Sequence, residues 1–145
     1  MSMVDPSATY RRYLSAVILH GFASAEAACL NPTDFYALNV LELAGPMTSG
    51  ELAEHTGLTT GATTRLIDRL ERAGHVRRSA DSADRRKVIV QAIRKEGVDE
   101  ALNPARQRLG EIFQSFTPKQ HEVLFDYFAR AADAYFEAVK DLRRS

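Results

Sequence analysis

The stretch Thr48-Ser49-Gly50-Glu51-Leu52-Ala53-Glu54-His55-Thr56-Gly57-Leu58-Thr59-Thr60-Gly61-Ala62-Thr63-Thr64-Arg65-Leu66-Ile67-Asp68-Arg69-Leu70 decides the fold. Thr48 and Glu51 have capping-box spacing: the hydroxyl accepts a backbone N–H of the first turn, and the carboxylate reaches back to the cap. The helix they open is short, because Thr56-Gly57 stops it after about two turns. Thr59 caps a second helix, in which Thr63, Leu66, Ile67 and Leu70 recur at spacings of three and four and form one buried face. Two short helices joined by Thr56-Gly57-Leu58 form a helix-turn-helix.

Downstream, Gly74 ends the second helix in the left-handed conformation that glycine adopts cheaply. Val76–Ser79 and Val88–Ala92 then read as short strands around the polar, turn-rich run from Ala80 to Lys87, which makes a β-hairpin wing. Upstream, Asn31 can cap a helix whose first residue is Pro32 and whose Asp34 favours the positive helix end. That helix buries Phe35, Leu38 and Leu41 and stops near Gly45-Pro46.

Long amphipathic helices flank this centre. Tyr10, Tyr13, Leu14, Val17, Ile18, Gly21, Phe22 and Ala25 share one face of the first, with Asp5 or Ser7 as cap and Pro6 in its first turn. From Glu96 onward Val98, Ala101, Leu102, Ala105, Leu109, Ile112, Phe113 and Phe116 share a face, with Asn103-Pro104 expected to kink or restart the helix. Thr117-Pro118-Lys119-Gln120 is a further capping box, opening a last helix that carries Leu124, Phe128, Ala131, Tyr135, Val139 and Leu142. The expected class is mainly α with a small β-hairpin wing, in one domain over 1–145. The winged helix-turn-helix spans 31–93, and helices over 6–28 and 96–144 hold apolar stripes best covered by a second copy of the chain.

The chain has 145 residues, 45% of them hydrophobic, and a formal charge of zero. A zero total speaks against a phosphate-rich partner, but the distribution is uneven. Between Leu58 and Lys95 lie ten basic residues (Arg65, Arg69, Arg72, Arg77, Arg78, Arg85, Arg86, Lys87, Arg94, Lys95) and four acidic ones (Asp68, Glu71, Asp81, Asp84), a net +6 that the rest of the chain balances. No apolar run has membrane-spanning length and the start lacks a signal-peptide order, so the expectation is a cytoplasmic protein without a membrane. The single cysteine, Cys29, cannot form an internal disulfide and is expected as a small buried residue without a resolving partner. His20, His55, His75 and His121 lack metal-site spacing, and no nucleophile–base pair or phosphate loop appears, so neither a metal, a cofactor nor an enzyme is expected.

With the core face of the second short helix fixed, Thr60, Gly61, Thr64 and Arg65 point outward near its N-terminus, the end that enters a major groove in helix-turn-helix proteins. Threonine can meet a base, a phosphate or a thymine methyl, and arginine can grip guanine with two hydrogen bonds. Thr48, Ser49, Thr59 and Arg69 join the expected DNA-contacting set. In the wing, Arg85, Arg86 and Lys87 suit the negative minor groove, while Asp84 stands near enough to several arginines to hold one in a fixed pose.

The run Leu30 to Gln91, with Glu51-Leu52-Ala53, Thr64-Arg65-Leu66-Ile67-Asp68-Arg69-Leu70-Glu71, Gly74-His75-Val76 and Asp84-Arg85-Arg86, resembles the MarR (multiple antibiotic resistance regulator) family. The resemblance implies a homodimer that binds double-stranded DNA at a pseudo-palindromic operator and represses transcription. It implies Arg86 as the wing arginine of the minor groove, Thr64 and Arg65 as recognition-helix residues and Asp84 as the wing brace. It further implies release by a small aromatic or phenolic effector; from aromatic placement, Tyr13, Val17 and Phe35 are expected to wall its pocket. Two features depart from the family pattern: Ile93-Arg94 stands where a Leu-Thr pair is usual, and Gly61 removes a side chain that could touch DNA. The competing classes are a winged-helix module for protein–protein assembly, which needs no arginine cluster, and a ligand or redox sensor with little affinity for DNA.

Overall fold

The computed structural model describes residues 4–145, and Glu96 and Gly97 in their backbone alone. The elements in chain order are α1 (Pro6–Ala27), α2 (Pro32–Ala44), β1 (Met47–Thr48), α3 (Ser49–Thr56), α4 (Thr60–Arg72), β2 (Val76–Ala80), β3 (Val88–Ala92), α5 (Glu96–Gln114) and α6 (Pro118–Arg144). The starts of α1, α2, α3, α4 and α6 are side-chain caps. Asp5 rather than Ser7 caps α1, accepting the Ser7 N–H at 2.9 Å. Asn31, Thr48, Thr59 and Thr117 cap α2, α3, α4 and α6, with reciprocal boxes Thr48–Glu51 and Thr117–Gln120.

The helix ends obey equally local chemistry. At Gly74 (φ +77°) the His75 N–H reaches the Leu70 carbonyl and the Gly74 N–H that of Glu71, both at 2.9 Å, which satisfies two orphan carbonyls of α4. The end of α1 uses the same motif with Cys29 at the left-handed position (φ 56°), where glycine is usual. That placement puts Cys29 in an exposed turn, overturning its expected burial: an αL residue just past a helix end faces out of the packed face.

The sheet is three-stranded and antiparallel in the order β1-β3-β2. Its hairpin pairs Val76 with Ala92 through to Ala80 with Val88, one residue longer than the periodicity predicts on β2. The third strand, β1, was not expected; two residues show no alternation, and Met47 and Thr48 are extended because they pair with Val90 and Ile89. Leu38, Leu41, Met47, Leu52, Leu66, Ile67, Leu70, Val76 and Val90 form the main core, so α2, α3, α4 and the base of the hairpin share one apolar interior. Ala25, Phe35 and Val98 close a second, smaller cluster.

The chain divides into two compact units, one ending at Leu102 and the other running Asn103–Ser145. The boundary falls at Asn103-Pro104, yet α5 passes through it as one helix rather than restarting, since an internal proline deletes one bond, here to the Glu100 carbonyl, and leaves the others. In the second unit Phe113 stacks on Phe125 with centroids 5.5 Å apart, and His121 Nε2 lies 2.5 Å from the Phe113 carbonyl. α6 has no buried residue, and among the described residues no single helix is long and apolar enough to cross a membrane.

Candidate nucleic-acid interface

α4 buries Thr63, Leu66, Ile67 and Leu70 and leaves Thr60, Gly61, Thr64 and Arg65 exposed, as the periodicity requires. The Thr64 hydroxyl donates to the Thr60 carbonyl at 3.0 Å, which engages its proton and leaves its oxygen able to accept. Gly61 has open space around its missing Cβ, so no neighbour inside the protein demands glycine. Arg65 has no side-chain partner among the described residues.

The other threonines of the expected set are occupied. Thr48 Oγ1 accepts the Glu51 N–H at 3.1 Å and Thr59 Oγ1 accepts that of Ala62 at 3.2 Å, so both hydroxyls serve as caps. Ser49, the first residue of α3, is half-buried.

Half of the ten-cation segment is used inside the protein. Arg69 makes a two-bond pair with Asp34, at 2.9 and 2.8 Å, and these hydrogen bonds raise its already high pKa. Arg78 Nη2 meets Asp68 at 2.6 Å and Nη1 meets Glu71 at 2.7 Å. Burial pulls the Arg78 pKa down, but the two carboxylates outweigh it and the net shift is upward. Arg77 binds Gln91 across the hairpin, Arg94 pairs with Asp99, and Lys95 donates to the Ala73 carbonyl at the end of α4. Arg65, Arg72, Arg85, Arg86 and Lys87 remain exposed without side-chain partners among the described residues.

Asp84 braces the wing differently from expectation. Its carboxylate accepts the backbone N–H of Arg86 at 3.0 Å and its carbonyl that of Lys87 at 3.0 Å, so it orders the turn through the main chain rather than through a guanidinium. Asp81 does the same for Ala83 at 3.0 Å. The hairpin tip is thereby held while Arg85, Arg86 and Lys87 stay free.

Phe35 is enclosed with Ala25 and Val98, whereas Tyr13 and Val17 lie outside that cluster and are each 49% exposed. Sequence reasoning missed two participants. From the sequence Asp34 reads only as a helix-dipole residue, because its partner lies 35 positions away with no local signal to reveal it. His75 is 5% exposed at the joint of α4 and β2, with Nδ1 lacking a hydrogen-bond partner among the described residues. Burial first, and the Lys95 charge second, lower its pKa.

A short capped helix, a second helix with an exposed Thr/Arg face, and an ordered arginine-tipped hairpin define the winged helix-turn-helix class. The sequence model of the MarR family matches residues 30–87. The Bacillus subtilis HTH-type transcriptional regulator YcgE is 35% identical over 137 residues, covering 93% of this chain and 89% of that protein. YsmB of the same organism is 33% identical over 75% of this chain and 77% of its own length. Among solved structures, a MarR-like transcriptional regulator from Thermotoga maritima is 25% identical, with a TM-score of 0.62 over 92% of this chain and 98% of that one. A Staphylococcus aureus MepR variant bound to an oligodeoxyribonucleotide shares the fold, with a TM-score of 0.62 at 13% identity over 92% and 99% of the chains. The chain belongs to the MarR family of transcriptional regulators.

Proposed function

We propose that this regulator is a cytoplasmic homodimer that represses transcription by occupying a pseudo-palindromic operator. The observation that carries this reading is the pairing of an exposed Thr60/Gly61/Thr64/Arg65 face with a braced wing whose Arg85, Arg86 and Lys87 have no side-chain partner among the described residues. Thr64 and Arg65 read base edges, whereas Arg85 and Arg86 follow minor-groove shape and phosphate charge. The DNA-bound MepR structure supports the placement by likeness of fold.

A small aromatic or phenolic effector releases the operator. A MepR-like protein complexed with pseudoligands, 26% identical with a TM-score of 0.50, supports ligand control. Tyr13 and Val17 present half-exposed aromatic and aliphatic surface to it, and Phe35 joins only if its own cluster opens.

Titration of operator and scrambled duplexes at several salt concentrations tests the DNA reading. Arg65→Ala is expected to cost about 1–3 kcal/mol and relax preference at one position of each half-site. Arg86→Ala is expected to weaken both duplexes alike and to flatten the salt dependence by about one unit per lost phosphate contact. Variants that both bind as the unmodified protein does would leave the basic segment a solvated surface and favour an assembly module.

A further inference from the structure

Arg69 and Asp34 form a pair with one closed side and one open side. Arg69 Nε and Nη2 donate to Asp34 Oδ2 and Oδ1 at 2.9 and 2.8 Å. The Asp34 side chain is 4% exposed, but that of Arg69 is 48% exposed. A guanidinium carries five N–H groups in a rigid fork, so the outer edge of Arg69 retains three donors that Asp34 does not touch. Arg69 lines a cleft of about 370 Å³ together with Asn31 and Thr33 at the start of α2 and Arg65, one turn before it on α4.

Burying a carboxylate costs desolvation energy, and a bidentate partner offsets this while fixing the guanidinium plane. The consequence here is an oriented arginine beside Arg65, which has no side-chain partner among the described residues, in a cleft lined by no carboxylate among them. Arg65 belongs both to this cleft and to the exposed recognition face of α4. A duplex that reaches Arg65 therefore brings its backbone alongside the cleft.

We propose that the cleft between α2 and α4 seats one DNA backbone phosphate, with Arg69 as its ligand and Asp34 as the positioning residue that turns the free edge of Arg69 outward. This rests on the DNA-binding reading above. Asp34 so becomes part of the DNA interface without touching DNA, and α2 supplies a wall of it.

The test compares the unmodified protein with Asp34→Asn and with the double variant Asp34→Asn/Arg69→Gln, which removes both charges together and leaves none buried alone. Titrations use the promoter duplex beside its own gene and a scrambled duplex. The double variant is expected to bind both several-fold more weakly, with a salt slope shallower by about 0.9 per protomer. Asp34→Asn keeps the cation but loosens its pose, so affinity falls while the slope is retained. An unchanged slope in the double variant, or tighter binding and a steeper slope in Asp34→Asn, overturns the proposal; the latter would mean that Asp34 withholds Arg69 from DNA. A second measurement needs no change to the pair: an iron chelate tethered at Thr33→Cys in a Cys29→Ser background is expected to cut the adjacent DNA backbone. Cutting from the same chelate at Ala83→Cys in the wing but none from Thr33 overturns the cleft alone. Failure of the unmodified protein to bind either duplex fails the DNA reading beneath it.

Discussion

Arg78 on β2 grips Glu71 on α4 at two points, through Nη1 to Oε1 at 2.7 Å and through its backbone N–H to Oε2 at 3.2 Å. The same guanidinium reaches Asp68, one turn earlier on α4, so the root of the wing is tied to the helix that presents Arg65. Arg78→Gln is expected to lower the unfolding free energy by about 1 kcal/mol, a modest figure because the carboxylates are partly solvated. Its larger effect falls on DNA, where a wing no longer registered with α4 loses operator affinity more than nonspecific affinity. Denaturant unfolding and duplex titration of the same preparation separate the two.

His75 makes stability depend on pH. Its folded-state pKa is depressed by burial and by Lys95, so the unfolded chain takes up a proton at a higher pH than the native chain does. The contribution is fully present above an unfolded pKa of about 6.5 and is lost as pH falls from there through the folded pKa. His75→Leu is expected to flatten the decline of unfolding free energy with acidification below that point. A variant that declines as steeply as the parent would assign the dependence to other groups.

Two glycines are expected to respond in opposite directions. Gly61 sits in α4 with nothing near its absent Cβ, so Gly61→Ala stabilises the fold by roughly 0.5–1 kcal/mol. If DNA approaches this turn closely, the same variant weakens operator binding, separating stability from function in one substitution. Gly74 is at φ +77°, and an added Cβ meets Lys95 Cε and Nζ at 3.3 Å. Gly74→Ala is therefore expected to destabilise by roughly 1–2 kcal/mol, read from the denaturation midpoint.

The apolar surface of the terminal helices predicts an obligate dimer. Val17, Ile18 and Phe22 on α1 are 49%, 57% and 54% exposed, and Tyr135, Phe136 and Leu142 on α6 are 48%, 58% and 76% exposed. Surface of this kind is unfavourable in water unless a partner covers it. Sedimentation at micromolar concentration is expected to show two chains, and Phe22→Glu to shift the equilibrium toward monomer with loss of helicity. A parent protein that stays monomeric and fully helical would refute the dimer.

The elements were legible where their causes are local. Asn31, Thr48, Thr59 and Thr117 announce helix starts because a cap acts within three residues, and Gly57 and Gly74 announce ends because φ above zero favours glycine at that one position. The buried set Leu66, Ile67 and Leu70 follows from the helical period. β1 was not legible, because a two-residue strand has no period and exists only through Val90 and Ile89.

By itself the sequence determined the order of helices, the helix-turn-helix, the wing and the family, since these rest on short-range spacing and on motifs within one run of chain. It also located the basic segment, because charge is additive along a chain. Only the tertiary structure decided which cations are free. Asp34 takes Arg69 from 35 positions away, and Asp68 and Glu71 take Arg78 across the α4–β2 turn, leaving Arg65, Arg72, Arg85, Arg86 and Lys87 outward. The physical reason is that an ion pair depends on distance in space and on burial of its partner, and sequence spacing fixes neither once the partners lie on different elements.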